Sequence, residues 1–72
     1  MYHLGMTKNE AAVILANYIT VTCRKRGITQ VTPLVIQEIH TEALTASGRI
    51  AEAAHVNPSW KTIRAAGRKA SI

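Results

Sequence analysis

The sequence predicts an all-α protein, folded as a compact bundle of three or four helices. Hydrophobic residues make up 47% of the chain, and only 4% of the chain is aromatic, so Ala, Ile, Val and Leu supply most of the apolar content. Such side chains let helices pack closely and favour helices over a β-sandwich. The 72 residues are enough for one domain. Within it we expect residues 1–6 to form an N-terminal arm and residues 68–72 a frayed tail.

The first helix has start and stop signals that agree with each other. Thr7 is followed three positions later by Glu10, just before an apolar run, which is the pattern of a capping box. Gly27 follows three basic residues, and a glycine after a basic last turn is typical of a helix end. We therefore predict a helix over residues 8–26, although residues 18–22 are rich in types that prefer strands.

Two further helices are predicted in the middle of the chain. A Thr-Pro pair at positions 32–33 indicates an N-cap followed by proline at the first helical position. Apolar residues then repeat at helical spacing until a Ser-Gly pair interrupts them. The sequence thus predicts helices over residues 33–46 and 49–55.

The fourth helix is predicted over residues 58–66. An Asn-Pro pair at its start repeats the signal of an N-cap followed by proline, and a glycine directly after it can stop the helix. Successive residues of a helix are turned by about 100°. Trp60 and Ile63 therefore share an apolar face that should point to the core, and Lys61 and Arg64 share a basic face that should point to solvent.

Positive charge is concentrated in the last third of the chain. The formal net charge is +5 at pH 7. Residues 48–72 contain five basic residues and one acidic residue, whereas residues 1–47 contain four basic and three acidic residues. A basic excess of this kind favours an anionic partner.

Self-association is expected because a chain of this length rarely gains more than about 3–5 kcal/mol from its own core. Small domains commonly add disulfides, a metal or a partner subunit, and Cys23 is the only cysteine. We expect Cys23 to be a packed thiol. We predict a homodimer that forms through the apolar surface of the helix at residues 8–26.

Residues 49–68 read Arg-Ile-Ala-Glu-Ala-Ala-His-Val-Asn-Pro-Ser-Trp-Lys-Thr-Ile-Arg-Ala-Ala-Gly-Arg. This stretch resembles the helix-turn-helix unit of bacterial and phage DNA-binding regulators. In that family a hydrophobic residue followed by Ala lies in the first helix, and Ile50-Ala51 matches that pair. In the turn, that family has a small residue or Gly, followed by a hydrophobic residue. Ala54-His55-Val56 occupies this turn in the present sequence.

The match of the second helix requires a shorter turn. Aligned without a gap, Lys61 and Arg64 fall at the two buried positions of that helix, where burial of a charge would be costly. Trp60 and Ile63 lie one position earlier and keep the required spacing. The resemblance therefore predicts a turn one residue shorter than is usual in the family.

The resemblance implies that the fourth helix is a recognition helix in the major groove of double-stranded DNA. It also implies a small transcriptional regulator of the kind encoded by phages and other mobile elements. On this interpretation, bases or phosphates are contacted by Ser59, Lys61, Thr62 and Arg64, and phosphates by Arg49, Arg68 and Lys69.

A second interpretation stays open, which is a small protein-binding module that docks on a larger host protein as an inhibitor or adaptor. Neither interpretation involves catalysis, because the four carboxylates are expected on separate helical faces and no nucleophile motif occurs. No histidine has the spacing to Cys or carboxylates that is typical of a metal site. The apolar run at residues 11–23 is too short to span a bilayer, which needs about 20 residues. We expect a cytoplasmic protein that is not an enzyme, with no metal, cofactor or membrane partner.

Overall fold

Four helices form the described part of the chain, in the order α1 Lys8–Arg26, α2 Pro33–Ala43, α3 Arg49–Val56 and α4 Trp60–Ala70. The computed structural model describes the backbone of residues 6–70 and the side chains of residues 6–67. Most of the predicted N-terminal arm and the end of the predicted tail lie outside the described residues. The predicted all-α bundle is confirmed.

Helix α1 has the predicted bounds because both of its caps are formed. The Thr7 N–H donates to Glu10 Oε1 over 2.9 Å, and the Glu10 N–H donates to Thr7 Oγ1 over 3.1 Å, which completes the capping box. The bond from the Thr7 backbone lowers the pKa of the Glu10 carboxyl. At the other end Gly27 adopts φ 70°, the left-handed conformation that closes the helix. The strand preference of residues 18–22 is overridden, since these residues are helical throughout.

Helix α2 begins where the sequence predicts and ends three residues earlier. Thr32 Oγ1 accepts from the Val35 N–H over 3.2 Å, and proline occupies the first helical position. The predicted end at residue 46 is wrong, because α2 ends at Ala43. Beyond it the backbone forms short-range bonds, such as Thr45 N–H to the Glu42 carbonyl over 3.1 Å. These tighter turns satisfy the last carbonyls of α2 without extending it.

The turn between α3 and α4 corrects the predicted role of Asn57. Helix α3 continues to Val56, and Asn57 is its C-cap with φ 57° and ψ 59°, in the left-handed region. The N–H of Asn57 donates to the carbonyls of Ala53 and Ala54. Asn is one of the few residues other than Gly that tolerates this conformation, so the residue type suits a C-cap as well as an N-cap.

Helix α4 begins at Trp60, two residues later than predicted. Its N-cap is Ser59, whose Oγ accepts from the Thr62 N–H over 3.2 Å. Pro58 is buried and precedes the cap instead of occupying the first helical position. It stands at the N′ position and Ile63, which is also buried, at N4, the two positions that form a hydrophobic staple.

The two candidate caps can be separated by mutation. We expect Ser59→Ala to lower the free energy of unfolding by about 0.5–2 kcal/mol, the usual cost of a lost N-cap. Asn57→Gly should leave stability unchanged or raise it, since Gly adopts the left-handed conformation without strain. Denaturant unfolding followed by circular dichroism measures both. A loss on Asn57→Gly together with no loss on Ser59→Ala would restore Asn57 as the N-cap of α4.

Gly67 does not stop α4, which continues through it to Ala70. The glycine lies against α1, where a Cβ built on Gly67 would be 3.6 Å from the Cβ of Ala16. Two small residues thus let α1 and α4 approach closely. The predicted end of the fourth helix at residue 66 is wrong, because the backbone of residues 68–70 still belongs to α4.

Replacing Gly67 by alanine is expected to stabilise the protein. A separation of 3.6 Å is ordinary van der Waals contact, so the added methyl group fits beside Ala16. An alanine inside a helix is more stable than a glycine by about 0.5–1 kcal/mol. Thermal unfolding should show a higher midpoint for Gly67→Ala and a lower one for Gly67→Leu, whose side chain would push α1 and α4 apart. A lower midpoint for both variants would mean that the helices lie closer than the structure places them.

Helix α1 is the centre of the bundle, since α2, α3 and α4 all pack against it. Leu15 and Ile39 are the largest fully buried side chains. Cys23 is buried as a free thiol, in agreement with the prediction. Two further contacts tie α2 to its neighbours. His40 Nε2 lies 3.1 Å from the Ala54 carbonyl, and the guanidinium of Arg26 bridges both carboxylate oxygens of Glu42.

Most of the apolar surface of α1 is used inside the chain. Its buried residues are Ala11, Ala12, Leu15, Ala16, Ile19 and Cys23. Two large apolar side chains of this helix stay well exposed, Val13 at 42% and Val21 at 48%. The wide apolar face from which the dimer interface was predicted is therefore largely occupied by α2, α3 and α4.

Candidate nucleic-acid interface

Helix α4 presents the two faces that its sequence predicts. Ile63 is buried and Trp60 is half-buried, whereas Lys61 and Arg64 are exposed. Trp60 and Ile63, which lie three positions apart, anchor the helix, as expected if the turn is one residue shorter than is usual in the helix-turn-helix family. The outward residues place two cations on the side that faces solvent.

The guanidinium of Arg64 lies over the indole ring of Trp60. Its guanidinium carbon lies 5.7 Å from the centroid of the indole ring, within the cation–π range of about 6 Å. The contact joins two residues one turn apart on α4. It limits the conformations of a long side chain, so that less entropy is lost when the guanidinium binds an anion.

Ser59 and Thr62 are engaged with each other at the start of α4. Their hydroxyl oxygens lie 2.8 Å apart, and Ser59 Oγ also accepts from the Thr62 N–H. Thr62 is half-buried rather than fully on the basic face. Ser59 thus caps the helix and the Thr62 hydroxyl bonds to the capping oxygen, so a contact with DNA would have to share these bonds or replace them.

The other three residues predicted to contact phosphate are Arg49, Arg68 and Lys69. The described side chains do not place them on the same face of α4 as Lys61 and Arg64. Arg49 is exposed at the first position of α3, and its charge acts on the Glu10 carboxyl, where it adds to the lowering of the pKa. The side chains of Arg68 and Lys69 lie outside the described residues, although their backbone continues α4.

The turn differs from the one that the helix-turn-helix resemblance implies. His55 stands at the place of the family's glycine, yet it stays helical within α3. The residue with positive φ is Asn57, two positions later. The connection between the two helices is formed by residues 57–59, and both helices use α1 as their main packing partner.

A cavity of about 530 Å³ lies beside the start of α4, where α1, α2 and the α3–α4 turn meet. Its polar lining includes Lys8, Gln37 and His40. These residues could not be predicted from the sequence, because no local pattern reveals that the first turn of α1 lies beside the start of α4. Only the packing of the helices brings them together.

A smaller groove of about 190 Å³ is bordered by α1 and α4. Ile36, Trp60 and Ile63 line both the groove and the larger cavity. Arg64 lies at the groove but not at the cavity, and Lys8 at the cavity but not at the groove. The cavity and the groove thus share an apolar surface beside α4, and each has one cation at its edge, Lys8 at the cavity and Arg64 at the groove.

Within residues 6–67, no cluster of three or more His, Cys, Asp or Glu side chains could hold a metal ion. None of the helices in the described part of the chain is long and apolar enough to cross a membrane. The chain matches no family of known proteins, no curated protein and no solved structure.

Proposed function

We propose that this protein is a small, non-enzymatic, cytoplasmic DNA-binding regulator that places α4 in the major groove of duplex DNA. The observation that supports this proposal most is the exposure of Lys61 and Arg64 on one side of α4, while Ile63 anchors the other side. The sequence of α4 contains no acidic residue. A regulator of phage or mobile-element type is the particular class we favour.

The chemistry of duplex DNA fits this face of α4. The major groove is wide enough to admit an α-helix. Arginine can bond a guanine edge through two parallel hydrogen bonds, and lysine neutralises phosphate as a point charge. We therefore assign base reading to Arg64 and phosphate binding to Lys61. Ser59 and Thr62 act from the N-terminal end of α4, and Arg49, Arg68 and Lys69 add phosphate contacts.

The test is the salt dependence of binding to duplex DNA. Neutralising a phosphate releases counterions, so affinity should fall steeply as salt rises. Fluorescence anisotropy with a labelled random duplex over a salt series gives the slope of log affinity against log salt. The double variant Lys61→Gln/Arg64→Gln should reduce this slope by about one unit, for the phosphate neutralisation lost at Lys61, and should weaken binding further through the loss of Arg64.

The matched control removes the same charge elsewhere. Arg24→Gln/Lys25→Gln also lowers the net charge by two, but these exposed residues lie in the last turn of α1. We expect it to change the slope much less. Equal slopes for both double variants would show that net charge, and not α4, determines binding.

Binding to a protein is the second candidate function, and an exposed apolar residue favours it. Leu34 is 66% exposed at the start of α2, and Val31 just before it is 47% exposed. A host protein that covers these residues would remove apolar surface from water. In that case Leu34→Ala would abolish binding to the partner, whereas the double variant of α4 would not.

A second copy of the chain is also proposed as a partner. Val13 and Val21 are the large exposed apolar side chains of α1 that could contact it.

A further inference from the structure

We infer that the cavity between α1, α2 and the α3–α4 turn binds a small organic anion with a flat apolar body. This inference goes beyond DNA binding and does not depend on it. The cavity volume of about 530 Å³ lies within the usual range of ligand sites, about 300–1,000 Å³. Its lining residues come from α1, α2, α4 and the turn before α4, so only the folded chain assembles it.

The floor of the cavity is apolar and rigidly placed. Ile36 and Ile63 are both buried members of the core, and the half-buried indole of Trp60 lies beside them. Because Ile36 and Ile63 have little exposed surface left, a flat ring or short aliphatic body gains mainly by covering the half-buried indole of Trp60 and removing it from water. This part of the site sets the shape of the ligand.

The rim of the cavity sets its charge. Lys8 is exposed and is the cation at this site, and no carboxylate occurs among the described residues that line the cavity. Gln37 and His40 supply polar groups beside it. His40 Nε2 lies 3.1 Å from the Ala54 carbonyl, a contact that fixes the position of the ring. A site with one sign of charge above an apolar floor selects an anion with an apolar body.

The protein carries its own reporter for this site. Trp60 is the only tryptophan of the chain and lines the cavity. The probe is anilinonaphthalene sulfonate, an aromatic anion whose absorption overlaps tryptophan emission. Titration should quench Trp60 and raise the emission of the probe with a single affinity. Its neutral relative N-phenylnaphthylamine should bind about fivefold more weakly or worse, since it lacks the charge that faces Lys8.

Two variants of opposite effect test the site. Lys8→Glu should weaken binding of the sulfonate by about fivefold or more. An acidic residue in the first turn suits the helix dipole, so this variant is expected to stay folded. Gln37→Lys adds a cation to the rim and should tighten binding by about threefold. Thermal unfolding confirms that each variant is folded.

The control is a change of the same charge at the next position. Glu38→Gln raises the net charge by one, as Gln37→Lys does, but Glu38 lies outside this cavity. It should leave the affinity for the sulfonate unchanged. The proposal is overturned if Lys8→Glu binds as tightly as the wild type, if Glu38→Gln tightens binding as much as Gln37→Lys, or if the neutral probe binds as well as the anion. It is also overturned if Lys8→Glu weakens binding of duplex DNA while the sulfonate is unaffected, because Lys8 would then serve phosphate.

Discussion

Leu15→Ala is expected to lower the free energy of unfolding by about 2–5 kcal/mol, which is the usual effect of truncating a fully buried leucine. Leu15 is fully buried in α1, the helix that all the others pack against. A domain of this size rarely has more than about 3–5 kcal/mol from its core. The substitution should therefore leave a large fraction of the chain unfolded at room temperature, which urea titration followed by circular dichroism measures.

The control for this prediction lies two residues away on the same helix. Val13 is also aliphatic but 42% exposed, so Val13→Ala should change stability by no more than about 0.5 kcal/mol. If both substitutions gave the same unfolding midpoint, Leu15 would not be at the centre of the core. A partner subunit that covers Val13 would be indicated instead if Val13→Ala alone were strongly destabilising.

Arg64→Ala is expected to have the largest effect on the proposed function. A base-reading arginine contributes about 1–3 kcal/mol of discrimination, so affinity for a selected duplex should fall by about 5- to 150-fold. Its contact with Trp60 is at the surface, where a cation–π pair stabilises by only about 0.5–1 kcal/mol. The variant should therefore remain folded, and anisotropy with duplexes enriched from a random pool measures the loss.

Arg64→Lys separates base reading from charge. Lysine keeps the positive charge but lacks the planar fork that bonds a guanine through two hydrogen bonds. We expect Arg64→Lys to retain binding to random duplexes and to lose preference for the selected one. If the lysine variant kept its full preference, Arg64 would contact phosphate rather than a base. If neither Arg64→Ala nor Arg64→Lys changed the affinity for DNA, Arg64 would not belong to the interface, and the protein-binding alternative would be favoured.

The elements that were predicted well are those with complete local signals. Both ends of α1 were correct, because Thr7, Glu10 and Gly27 each have a role that the neighbouring residues alone determine. The start of α2 was correct for the same reason, since Thr32 and the proline after it act within one turn. Local hydrogen bonds and backbone preferences are encoded over three to five residues and need no knowledge of the fold.

The errors arose where one residue type serves two purposes. Asn57 was interpreted as an N-cap, but Asn also tolerates the left-handed conformation of a C-cap, and the end of α3 uses it in that way. The sequence predicts Gly67 as a helix stop, whereas α4 continues through it and its backbone packs against Ala16 of α1. The choice in each case depends on the position of another helix, which a local pattern does not contain.

The candidate site was predicted only in part, for a similar reason. The outward directions of Lys61 and Arg64 follow from helical periodicity, which is a local property. The influence of the Arg49 charge on the Glu10 carboxyl depends on how α3 packs on α1. The approach of Lys8 to the start of α4 depends on the packing of α1 with the other helices. The sequence alone therefore reveals neither the carboxyl near Arg49 nor the cation near the start of α4.

The packing of α1 against α4 also has a consequence for how the chain folds. Two helices separate these partners in sequence, so their contacts close a long loop, and the entropy lost in closing it precedes any gain from packing. During synthesis α1 leaves the ribosome before α4, and Ala16 and Ile19 stay without α4 until residues 60–70 have followed. For that interval the apolar side of α1 is the part of the nascent chain open to a chaperone or to aggregation, and the arrival of α4 ends this exposure.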